Sequence, residues 1–152
     1  MYAKVIMQNN VKPKEKIEQI IREFQTDKKR HGMNALLAPE LVSLDEEHMA
    51  GSLRYRKYEW EQNERGEVHG GIISAMFDTA MGMTVLGYMK SVEISTADLC
   101  VSFIRPFLGD SYIVKSEIVH PGRMITRVRA TAYDEETGKT LASATSNFVH
   151  LK

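Results

Sequence analysis

Apolar positions recur along this chain in different rhythms. Between Lys14 and Arg30 they fall at Ile17, Ile20, Ile21 and Phe24, the i, i+3, i+4, i+7 spacing of an amphipathic helix. Pro13 at its start and Gly32 just past its end are the expected punctuation. The basic run Lys28-Lys29-Arg30 complements the helix dipole. From Gly70 to about Tyr88 the chain is apolar almost all round, which predicts a helix buried on most sides. Met49 to Trp60 carries the strand formers Leu53, Tyr55, Tyr58 and Trp60. Ser95 to Ile104 sets Ala97, Leu99, Val101 and Phe103 against Thr96, Asp98, Cys100 and Ser102, and Pro106 ends it. Ser111 to His120 and Arg123 to Tyr133 flank a turn at Pro121-Gly122, and residues 134–138 turn the chain into Thr140 to His150. Ala38 to Glu47, with Pro39, reads as a loop or short turn.

The order is helix, strand, buried helix, four-strand meander. A sheet of five strands has one apolar face, and one wholly apolar helix can fill it. The expected class is α+β: a twisted antiparallel sheet of five or six strands around a long buried helix. With 152 residues one domain is expected, with residues 1–48 as a helical extension and 49–152 as the domain proper.

Composition narrows the function classes. Twenty Lys and Arg balance twenty Asp and Glu, which argues against a nucleic-acid footprint or a polybasic membrane patch. The single cysteine, Cys100, rules out an intramolecular disulfide and a Cys-rich zinc site, and is expected half-buried and inert. His31, His48, His120 and His150 share no ligand spacing, so no metal is expected. The N-terminus lacks the apolar core of a secretory signal. Ile72 to Tyr88 is short for a membrane span and carries Asp78 at its centre. A soluble, cytoplasmic protein is expected.

Two features of one helix carry the chemistry. His69-Gly70-Gly71 opens it, where the first turn offers unpaired N–H groups and a positive dipole end to a carboxylate, phosphate or oxyanion. A tight turn alone would also explain the glycines. Asp78 then sits mid-helix with Ser74, Ala75, Met81 and Gly82 as its same-face neighbours, none of them cationic. An unpaired carboxylate in apolar surroundings is costly and points to function; a hydrogen-bond network through Ser74 or Thr79 is the structural alternative. Gly70 and Asp78 lie about 12 Å apart along the axis. One helix cannot bring both to one reacting group, whereas two antiparallel copies can. A two-fold homodimer with two equivalent sites follows.

The pattern Asn63-x-x-Gly66-x-x-His69-Gly70-Gly71, with Asp78 in the helix behind it, resembles the hotdog-fold acyl-CoA thioesterases of the PaaI-like, phenylacetic-acid-degradation family. The segment from Thr96 to Arg105-Pro106 is similar to that family's next strand. The resemblance spans about residues 49–150. It implies a hotdog fold, a homodimer or homotetramer (a dimer of dimers), and hydrolysis of acyl-CoA to acid and CoA. It further implies that Asp78 is the catalytic carboxylate, as general base or nucleophile, and that the Gly70 N–H polarises the thioester carbonyl. Asn63 would place the water or thioester, His69 would orient the site, and Thr96 would hold the water, with threonine where the family has another hydroxyl. Gly71, Arg105 and Arg123 are the candidate substrate contacts, the arginines for CoA phosphates. No cofactor is implied beyond the CoA of the substrate. Met76, Met81, Met83 and Met89 suit core packing, or an adaptable acyl pocket. Two other functions stay open: a non-catalytic acyl-CoA-binding module, and a hydratase or dehydratase of enoyl thioesters. The latter usually pairs histidine and acid in one motif, whereas Asp78 lies two turns beyond His69.

Overall fold

The apolar stretch forms the helix its composition predicts. In the computed structural model, residues 11–26, 32–91 and 93–151 are described. The chain runs through α1 (Pro13–Thr26), α2 (Met33–Leu37), β1 (Glu40–Asp45), β2 (Ala50–Arg56), a 3₁₀ turn (Glu59–Glu61), α3 (Gly70–Tyr88), β3 (Ile94–Phe103), β4 (Ser111–Pro121), β5 (Ile125–Asp134) and β6 (Thr140–His150). The architecture is α+β, as expected, with six strands in the order β1-β2-β4-β5-β6-β3, every neighbouring pair antiparallel.

Several local expectations change. The segment read as a loop, Ala38–Glu47, contains β1, which pairs with β2 from Glu40↔Arg54 to Asp45↔Ala50. Leu41, Val42 and Leu44 supply its strand propensity. Pro39 sits just before an outer strand, where a missing donor is tolerated. The short helix α2 had no periodic signal, since five residues are too few to show one. The helix expected to reach Arg30 is described to Thr26, and the basic run at 28–30 lies outside the described residues. Cys100 is exposed rather than half-buried, because β3 is an outer strand. At 19 residues, α3 does reach the length and apolarity of a membrane span. Most of it is covered by the rest of the protein.

The sheet wraps α3. Met76, Phe77, Ala80, Met81 and Val85 are fully enclosed, packed in one cluster with Tyr55, Tyr112, Val114, Val128 and Phe148 of the strands. Ala130 and Ala132 of β5 stand opposite Ala144 and Ala142 of β6. Such small side chains let a helix approach a sheet closely. Bulges interrupt pairing between Leu41 and Ser43, Thr96 and Asp98, and Ile118 and His120, and bulges strengthen the local twist. Core polarity is satisfied locally: the Thr84 and Ser116 hydroxyls hydrogen-bond each other, and both lie within reach of the Ala80 carbonyl, at 3.0 and 3.2 Å, which takes the proton that the pair does not share.

The N-terminal extension covers what the sheet leaves open. Ile17, Ile20 and Ile21 are buried, and α1 lies on α3. Gly87 makes this possible, since a Cβ there would stand 2.7 Å from Ile17 Cδ1 and 3.0 Å from its Cγ1. Further along, Ile20 and Phe24 border Gly82 and Met83, and Asn34 of α2 accepts a hydrogen bond from Thr79 Oγ1. The extension thus runs back along α3 from Gly87 towards its middle. Gly87→Leu should force this contact apart, costing about 1–3 kcal/mol as other overpacked sites do. The expected readout is a lower urea midpoint; a midpoint at or above wild type would show that α1 is not seated at Gly87.

Candidate active site

The approach to α3 is built by one asparagine. Asn63 Oδ1 accepts hydrogen bonds from the backbone N–H of Arg65 (2.9 Å) and Glu67 (3.2 Å), and its Nδ2 donates to Glu67 Oε2 at 3.3 Å. Gly66 donates its N–H to the Asn63 carbonyl at 3.0 Å and holds φ at 75°, where a side chain would be strained. The spacing Asn63-x-x-Gly66 is therefore a turn. The Asn63 side chain is committed to that turn, with both of its polar atoms bonded to Arg65 and Glu67. The Glu61 carbonyl then accepts the His69 N–H at 2.8 Å, fixing the residue before the helix.

His69 caps α3. Its Nδ1 accepts the Gly71 N–H at 2.9 Å, and its carbonyl accepts from Ile72 and Ile73. An accepting Nδ1 carries no proton, so the ring proton sits on Nε2. Gly71 is thereby occupied. The Gly70 N–H has no acceptor among the described residues and stands as the open donor of the first turn. Ser74 Oγ donates to the Gly70 carbonyl at 2.9 Å. Beside Gly70 lies a cleft of about 490 Å³ lined by Asn63, Arg65, Glu67, Phe103, Arg105 and Phe107 among others. Arg105 donates to the Thr140 carbonyl at 2.7 Å, and Arg65 pairs with Glu67 at 2.8 Å. Arg123 is exposed in the β4–β5 turn and does not line this cleft.

Two turns along the helix, Asp78 Oδ1 accepts a hydrogen bond from Thr96 Oγ1 at 2.7 Å. Neither alternative partner holds it: Ser74 bonds Gly70, and Thr79 bonds Asn34. Among the described residues no cation pairs with Asp78. The carboxylate is half-buried rather than enclosed, because β3 is the last strand and leaves this flank of the helix open. Beneath it, burial pushes the Tyr55 phenol far up, with the charge of Asp78 as a second cause; Tyr55 OH donates to the Met76 carbonyl at 3.0 Å. Asp78 and Thr96 open onto a separate cavity of about 200 Å³, distinct from the cleft at Gly70. Within one chain the acid and the open amide serve different spaces. No group of three or more His, Cys, Asp or Glu suited to a metal occurs among the described residues.

Sequence reasoning passed over three participants. Phe103 falls on the apolar side of the β3 alternation, yet it is 54% exposed and its ring lies against Gly70, 3.4 Å from where a Cβ would stand. Asn34 lay in a segment with no assigned role. Glu61 was one acid among many, and only the fold shows it 1% exposed, with Oε1 lacking a partner and Oε2 accepting the Tyr58 N–H at 3.1 Å.

The chain belongs to the thioesterase superfamily, whose pattern matches residues 65–141. A candidate esterase of Halobacterium salinarum is 36% identical over 63 residues, 40% of this chain and 41% of that protein. The medium/long-chain acyl-CoA thioesterase YigI of Escherichia coli is 25% identical over 96 residues, 54% of this chain and 61% of its own. The chain thus spans about two fifths to three fifths of these relatives. The structure of the E. coli PaaI protein shares the fold with a TM-score of 0.74, at 17% identity over 91% of this chain and 95% of PaaI.

The Glu61 carboxyl yields a test of the loop that aims His69. Burial raises its pKa above the usual value of 4.5. The folded protein then holds this proton more tightly than the unfolded chain, so stability falls as pH rises from the unfolded value through the raised folded one. Glu61→Gln should remove that loss. Urea midpoints should match wild type near pH 4 and equal or exceed it at pH 7; a variant weaker than wild type at pH 7 alone would mean that the loop needs the charged carboxylate.

Proposed function

We propose that this protein hydrolyses acyl-CoA thioesters, releasing free acid and CoA, at two equivalent sites across a homodimer. The observation that carries this reading is the pair of complementary half-sites on α3: an open Gly70 amide at its start and an unpaired carboxylate eight positions later. Antiparallel pairing of two copies of α3 brings Gly70 of one beside Asp78 of the other. β3 is an outer strand whose far side has no partner among the described residues, and it lies beside Asp78 through Thr96. An unpaired edge of this kind is a natural place for a second copy to add. The name of the E. coli relative supplies the substrate class.

The chemistry follows from the geometry. Thr96 fixes Oδ1 of Asp78, a residue of the cavity lining, and leaves Oδ2 without a partner among the described residues. Oδ2 takes a proton from water as the water oxygen attacks the thioester carbon. Negative charge develops on the carbonyl oxygen, where the partner chain's Gly70 N–H and the positive end of its α3 stabilise it. The tetrahedral intermediate expels the CoA thiolate, which receives the proton. His69 acts by holding Gly71, so that the neighbouring amide stays aimed outward. Arg65 and Arg105 beside Gly70 offer positive charge to the CoA arm.

Three measurements test this. Asp78→Asn should lower kcat/KM on an acyl-CoA panel by about 10²–10⁴-fold, and unchanged rates would remove Asp78 from the mechanism. Gly70→Pro deletes the amide while suiting the first helical position, and His69 already has the extended backbone (φ −60°, ψ 137°) that precedes proline. The expected loss is about 10²–10³-fold. Co-assembling the two inactive variants should restore about a quarter of wild-type activity, since half the dimers would then hold one intact site of two. No restoration would place both groups in a single-chain site.

A further inference from the structure

The two spaces at the ends of the proposed site differ in character, and this difference assigns them. The cleft at Gly70 carries Arg65 and Arg105. Among the described residues the cavity at Asp78 has no cation in its lining; beyond Asp78 and Thr96 its walls are mainly Ile20, Phe24, Met83, Leu86, Ile94 and Phe148. A phosphate-bearing arm meets no cation among those described residues, and an apolar tail meets matching walls. We propose that this cavity receives the acyl group and that the N-terminal extension sets its length, with Phe24 and Gly82 as size-determining residues. The proposal rests on the acyl-CoA reading above.

The architecture supports such a ruler. One wall is α1, fixed against α3 by the close contact of Ile17 with Gly87. The other is α3 itself, and the polar end is Asp78 with its Thr96 partner. Asn34 turns its amide oxygen to Thr79, which ties α2 down over the same stretch. The volume, about 200 Å³, can be compared with the roughly 150 Å³ apolar cavity that accommodates benzene. An acyl group of about six to eight carbons, or one carrying a single ring, matches that space. Gly82 lies one turn beyond Asp78. A Cβ there would stand 3.4 Å from Phe148 Cε1 and 3.7 Å from Ile94 Cδ1, ordinary contacts, so alanine fits and shortens the cavity without displacing its wall. Truncating Phe24 removes a ring from the opposite side.

Binding of non-hydrolysable thioether analogues of acyl-CoA, with straight chains of increasing length, tests this on the full chain without requiring turnover. Calorimetry of wild type should show affinity rising about fourfold per methylene and levelling near about eight carbons. Phe24→Ala should move the break to longer chains and Gly82→Ala to shorter ones, with thermal melts confirming that both variants fold. An unchanged break in both variants, or no binding of any analogue, overturns the proposal. Breaks that move as expected in a protein that hydrolyses no acyl-CoA would retain the ruler and reject the hydrolase; hydrolysis with unmoved breaks would do the reverse.

Discussion

A 19-residue helix that is apolar on every side has to be enclosed, and the rest of this molecule follows from how that is done. The twisted sheet packs against it through β2 to β6, with alanines where β5 and β6 meet so that helix and sheet close up. The sheet ends at β3 before the circuit is complete. α1 covers a further stretch by docking Ile17 into the space left by Gly87. What remains is a flank along the middle of α3, and there the helix carries Asp78 in place of an apolar residue. The carboxylate sits where enclosure fails, which is why it can be half-exposed, singly hydrogen-bonded and still surrounded by apolar walls.

The two ends of the proposed chemistry depend on different kinds of support. Gly70 is aimed by a chain of local bonds, from the Asn63 turn through Glu61 to the His69 cap. Asp78 is held by a single long-range bond to β3. The first lies within a few residues of the helix start, steadied by the Val68 N–H on the Phe107 carbonyl at 3.1 Å and by the Phe103 ring of β3 against Gly70. The second exists only once β3 has joined β6 along Ile94↔His150 to Phe103↔Ala142.

Periodicity made the buried helix and the four later strands legible as elements, since each spans ten or more residues with a clear rhythm, but not their order: β4, β5 and β6 form a meander, whereas β3 pairs with β6 instead of β4, so the expected four-strand meander is a three-strand one with β3 added at its far side. The motif from Asn63 to Gly71 was legible for a different reason: turn, cap and open amide are all made within a few residues, so spacing alone carries them. Contacts that join distant parts of the chain were not. β1 was hidden because six residues beside a proline carry little pattern. Phe103 against Gly70, Asn34 against Thr79 and the enclosure of Glu61 depend on how separate elements meet. Asp78 was expected to be shut in, because the sequence does not reveal that the sheet stops beside it.

The other border of the sheet is made differently. β1 has six residues, its register slips between Leu41 and Ser43, and Glu40 there is tied up by Arg54 and Arg56. A short, kinked, charged margin is a poor template for another chain, whereas ten-residue β3 offers a long one. Recruitment through strands is accordingly one-sided. In the proposed dimer the two copies meet through β3, and among the described strands β1 is a far poorer edge for adding a further copy.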